Sequence, residues 1–127
     1  MDILIRFGFT IEEIKMMMDT NEEIEKASDH DIYEIIEILN QIGCSDSHMK
    51  NIFLCNPFCL TSSSKEMKQF ILKLEEIGCH NIFSILDHNP YLLNMTEKDL
   101  EKLFHKYSHE GYSKEEFIHE LKENILF

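Results

Sequence analysis

The chain has 127 residues, 43% of them hydrophobic, the size of one domain with its own core. Its net charge is −12, with acids outnumbering Lys and Arg two to one, and such a surface argues against ordinary binding to a phosphate backbone. Four Gly and two Pro exclude a disordered or linker-rich chain, and the absence of Val and Trp favours helix over strand.

In chain order, the opening MDILIRFGFT is too short an apolar run for a signal peptide and is not an Arg-rich transit segment. With four Cys expected to be reduced, this predicts a cytoplasmic setting. No run nears the length needed to span a membrane, so no membrane partner is expected. Leu4 then precedes Gly8 by four residues, and the same interval returns at Leu39 and Gly43, Leu74 and Gly78, and Tyr107 and Gly111. The residue after each Gly is Phe9, Cys44, Cys79 or Tyr112. These four glycines are the only ones, so the chain is read as a repeat before anything else.

After each Gly a short helix is predicted. Thr10 with Glu13 and Ser113 with Glu116 are capping boxes, and Ser45 and Asn81 are candidate caps in the middle units. Each short helix carries two large apolar residues before an Asn: Ile14 and Met18 before Asn21, Met49 and Phe53 before Asn56, Ile82 and Leu86 before Asn89, Phe117 and Leu121 before Asn124. In the middle units the next residue is Pro57 or Pro90, which ends the helix. Residues 57–60 and 90–93 are read as short 3₁₀ turns.

Ser28, Ser63 and Thr96 then cap longer helices of about 14 residues, each with an acid three positions on, at Asp31, Glu66 and Asp99. Their apolar stripes are Ile32, Ile35, Ile36 and Leu39; Met67, Phe70, Ile71 and Leu74; and Leu100, Leu103, Phe104 and Tyr107. Such units must stack to bury these faces. The expected fold is an all-α, right-angled helix-pair solenoid of about three and a half repeats, two helices and a 3₁₀ turn in each. It forms one domain over residues 1–127, with units of roughly 1–43, 44–78, 79–111 and 112–127.

Two middle segments, Leu39-Asn-Gln-Ile-Gly43 through Leu60 and Leu74-Glu-Glu-Ile-Gly78 through Leu93, carry the pattern Leu-x-x-x-Gly, short helix, Asn-Pro-x-x-Leu, longer helix. This pattern resembles the mitochondrial transcription termination factor (mTERF) repeat. The resemblance implies a curved all-α solenoid whose basic concave surface grips nucleic acid in organelles.

No catalytic constellation, phosphate-binding glycine loop or zinc spacing is present, so neither catalysis nor a cofactor is expected. Cys44, Cys59 and Cys79 fall on core positions and Cys55 on an exposed one. His105 and His109 are four apart on one helix, but without the Glu of a His-Glu-x-x-His motif they are read as a solvated face. A metal-binding protein is the remotest reading.

Two charged features remain. Residues 1–46 hold twelve acids against three bases. A field of that density steers basic partners, and the first reading is a non-enzymatic acidic module that docks a basic, nucleic-acid-binding protein as a DNA-mimic regulator. Its candidate face is Glu12, Glu13, Glu22, Glu23, Asp29 and Asp31. The alternative is direct nucleic-acid binding of mTERF type through lysines at matching repeat positions: Lys65, Lys68, Lys73, Lys98, Lys102 and Lys106. A homodimer through a solenoid end near Phe127 is a further expectation.

Overall fold

Four glycines in the left-handed region, φ between +96° and +116°, punctuate the computed structural model, which describes residues 2–123. At each, the amide of the following residue bonds back to the carbonyl four residues before the Gly: Phe9 to Leu4 (3.1 Å), Cys44 to Leu39 (3.1 Å), Cys79 to Leu74 (3.0 Å) and Tyr112 to Tyr107 (3.0 Å). This is the six-to-one bond of a Schellman cap, which needs an unhindered left-handed residue at its centre. The regular Leu-to-Gly interval in the sequence is therefore the footprint of one hydrogen bond made four times.

Between these stops every regular element is helical, with no strand among the described residues. A half-length α1 (Asp2–Phe7) precedes the short helices α2 (Ile11–Thr20), α4 (Asp46–Cys55), α6 (Ile82–His88) and α8 (Lys114–Glu123). The longer helices are α3 (Asp29–Gln41), α5 (Ser64–Ile77) and α7 (Glu97–His109). Short and long are joined by 3₁₀ turns: η1 (Glu22–Lys26), η2 (Pro57–Thr61) and η3 (Pro90–Asn94). This is the all-α arrangement of two helices and a 3₁₀ turn per repeat, from which short solenoids are built. The first turn forms without proline, because the Asn21 side chain accepts from the Glu23 amide (3.2 Å) and caps it. Reciprocal capping boxes close at Thr10–Glu13, Thr96–Asp99 and Ser113–Glu116, and Ser28, Ser45 and Asn81 act as caps.

The chain divides into two compact units, Met1–Ser64 and Lys65–Phe127. In the first, α1 packs on α3, and α2 packs on α4 and η2. Its core includes Leu4, Met17, Ile24, Ile32, Ile35, Leu39, Ile52 and Phe53, and the Phe53 ring lies against Phe7 and Phe9 (centroids 6.3 and 6.4 Å apart). In the second, α6 packs on α8 and η3, and α7 on α8, with Phe117 between Phe104 and Tyr107 (5.1 and 5.4 Å). The stripe of α7 differs from those of α3 and α5. Leu100 is buried, but Leu103, Phe104 and Tyr107 are only half-buried, and Tyr112 is 37% exposed where Phe9, Cys44 and Cys79 are buried. Asn124 and Phe127, named above as a repeat corner and a solenoid end, lie outside the described residues.

The repeated Asn does more than end a helix. Asn21, Asn56 and Asn89 are the only buried polar residues among those described. Asn21 Nδ2 donates to the Pro57 carbonyl (3.2 Å) and to Thr61 Oγ1 (2.9 Å), so the corner of one repeat ties to the 3₁₀ turn of the next. Asn89 Nδ2 also reaches the next repeat, where it donates to the Leu121 carbonyl of α8 (3.0 Å). Replacing Asn21 by Ala strands a buried acceptor and is expected to cost about 2 kcal/mol. A urea melt reads this as a lower midpoint at constant slope; an unshifted midpoint would show that the corner bond carries no stability.

Cys44, Cys59 and Cys79 are buried and Cys55 is exposed. Burial pushes the Cys59 and Cys79 thiols upward, away from the reactive thiolate. One thiol of four is expected to react with an aromatic disulfide reagent in native buffer and all four in denaturant; rapid native reaction of a second would contradict this packing.

Candidate nucleic-acid interface

The six candidate acids of the first unit fall in pairs at helix starts. Glu12 and Glu13 lie in the first turn of α2, Glu22 and Glu23 in that of η1, and Asp29 and Asp31 in that of α3. Negative charge is stabilising there against the helix dipole, so each pair has a local structural role. Glu13 is already engaged: its carboxylate accepts from the Thr10 amide (2.9 Å) and faces Lys50 Nζ (3.2 Å). The Thr10 amide, and after it the Lys50 ammonium, holds the Glu13 carboxyl below the usual carboxylate range. Lys50 also donates to the Gly8 carbonyl (3.1 Å) and sits 5.8 Å above the Phe9 ring, so it pins the first Gly turn to α4. Asp29 pairs with Arg6 (3.7 Å). Glu23 and Asp31 line a groove of about 530 Å³ with Lys26 and residues 60–64, while Glu12 and Glu22 are exposed.

The six candidate lysines lie in the second unit, three on α5 and three on α7. On α5 they diverge. Lys68 and Lys73 are five residues apart, about 140° around the axis at 3.6 residues per turn, so they occupy opposite flanks. Lys73 is half-buried along its stem and paired with Glu76 (3.6 Å). Lys65 and Lys68 are exposed.

On α7 the lysines converge. Lys98, Lys102 and Lys106 recur every fourth residue, all exposed, and with exposed His105 and His109 they fill an arc of about 100° opposite the apolar stripe. No acid occurs from Lys102 to His109. The acids of α7 lie in its first half, where Asp99 is held in the Thr96 capping box and Glu101 faces His105 Nε2 (3.7 Å). The sequence shows this face only when angle around one helix is counted; matching positions between repeats does not separate it from the α5 lysines.

Among the described residues no group of three or more His, Cys, Asp or Glu is placed to hold a metal ion, and no helix is long and apolar enough to cross a membrane.

The mTERF family model matches residues 1–123 of the chain. No curated protein and no solved structure matches it. The match corrects the cytoplasmic expectation, because that family is characteristically mitochondrial. The composition of the opening residues was the wrong guide: Leu4 is fully buried and α1 packs on α3, so the make-up of this segment answers to the core.

Proposed function

Because the chain belongs to the mTERF family, whose helical modules are regulatory binding proteins and not catalysts, we propose that it binds nucleic acid through the basic face of its second unit. The observation that carries this reading is the segregation of charge on α7. Lys98, Lys102 and Lys106 line one exposed face, and the acids of the same helix are drawn off to its first turns. The net charge of −12 sits mainly in the first unit and does not fall on this face. Local positive potential, not net charge, decides whether a phosphate backbone can approach.

A titration against a fluorescent mixed-sequence duplex at about 50 mM and about 200 mM salt tests the reading. Three phosphate contacts weaken binding about 40-fold across that interval. Absence of binding at the lower salt would sink it. The dense acids of residues 1–46 favour a second reading, in which the first unit docks a basic protein. In that case neutralising Glu12, Glu13, Glu22 and Glu23 abolishes capture of the partner while the α7 lysines are dispensable.

A further inference from the structure

Resting on that reading, we infer that α7 contacts a single phosphodiester backbone without reading bases, one lysine to each successive phosphate. Three observations lead to this.

The first is the chemistry of the donors. Arg6 is the only arginine in the chain and lies in the first unit, and α7 contains no Arg, Asn or Gln. The planar forks that discriminate base edges, Arg on guanine and Asn or Gln on adenine, are therefore missing from this face, and of the usual readers only Lys on guanine remains. A lysine ammonium is a compact point charge on a flexible stem, suited to a phosphate oxygen and tolerant of its neighbours.

The second is spacing. Lys98, Lys102 and Lys106 advance about 6 Å per step along the axis, at 1.5 Å per residue. That is of the order of the distance between consecutive phosphates on one strand. Three lysines in line therefore match one strand's charges in register.

The third is the pair of acids beside the lysine row. On the helix, Asp99 and Glu101 project to opposite sides of the arc that holds Lys98 and Lys102, about 100° on one side and about 60° on the other from Lys98. A helix lying in the major groove has phosphates along both flanks, and these carboxylates would face them. Here Asp99 is drawn back into the Thr96 capping box and Glu101 is taken up by His105, so on the ridge of one backbone the lysines are left to meet phosphate.

The test compares two duplexes of about 20 base pairs, one A·T-only and one G·C-rich, by fluorescence anisotropy across a salt series, with linear inorganic polyphosphate as competitor. The inference expects equal affinities within about threefold, a log–log salt slope near −2.7 for three phosphates, and displacement by polyphosphate. A preference of about tenfold or more for one duplex, with polyphosphate failing to compete, overturns base-blind contact and leaves nucleic-acid binding standing. Failure of both duplexes to bind at low salt overturns the functional reading and this inference together.

Discussion

Reversing Lys98, Lys102 and Lys106 to Glu is expected to lower affinity for a mixed-sequence duplex by about a thousandfold at about 50 mM salt and to flatten its salt dependence. The size follows from counterion release. Three neutralised phosphates give a salt exponent near −2.7, and at about 50 mM that exponent is worth about three and a half powers of ten relative to molar salt. Fold is not at stake, because all three side chains are exposed and lie opposite the buried Leu100. The informative control is the triple Lys65, Lys68 and Lys73 to Glu on α5, which changes net charge by the same amount. Its expected effect is much smaller: Lys73 is already paired with Glu76, and Lys68 and Lys73 occupy opposite flanks of the helix. If the two triples weaken binding equally, affinity tracks net charge alone and α7 is not the site. Circular dichroism of each variant checks that the helices persist.

Most of the fold could be read from the sequence because its stops are chemically specific. A Gly four residues after a large residue is a Schellman cap, and Thr or Ser followed three residues later by an acid is a capping box; both recur often enough to reveal the period. The reading went less far where one residue serves two purposes. Asn21 and Asn89 were legible as helix ends but not as buried donors to the Pro57 and Leu121 carbonyls, since those partners are 36 and 32 residues away. Met17, Ile52 and Ile85, four residues before those corner Asn, are buried, and the two-position apolar pattern of the short helices did not include them. The last stripe reads like its predecessors, yet Leu103, Phe104 and Tyr107 stay half-buried, because burial depends on what packs against a face and not on the face itself. At the candidate site, lysines were found by repeat position. What separates α7 from α5 is angular position around each helix and the ion pair that occupies Lys73.

Truncating Phe53 to Ala is expected to produce the largest loss of stability, about 3–5 kcal/mol. Phe53 is fully buried on α4, and its ring closes a cluster with Phe7 and Phe9, whose own centroids are 5.8 Å apart. Those two rings flank Gly8, the turn that Lys50 also holds through the Gly8 carbonyl. The cavity therefore opens beneath the junction of α1, α2 and α4, where the neighbours are anchored by the Schellman bond from Phe9 to Leu4 and cannot collapse freely into the space. Natural domains hold only about 5–15 kcal/mol in all, so the variant should lie near the edge of folding, with a melting temperature lower by roughly 10–25 °C. Phe53→Leu keeps most of the volume and should recover more than half of the loss. Urea melts followed at 222 nm give both values. If Phe53→Ala shifts the midpoint by less than about 1 kcal/mol equivalent, the three rings do not form the core of this unit.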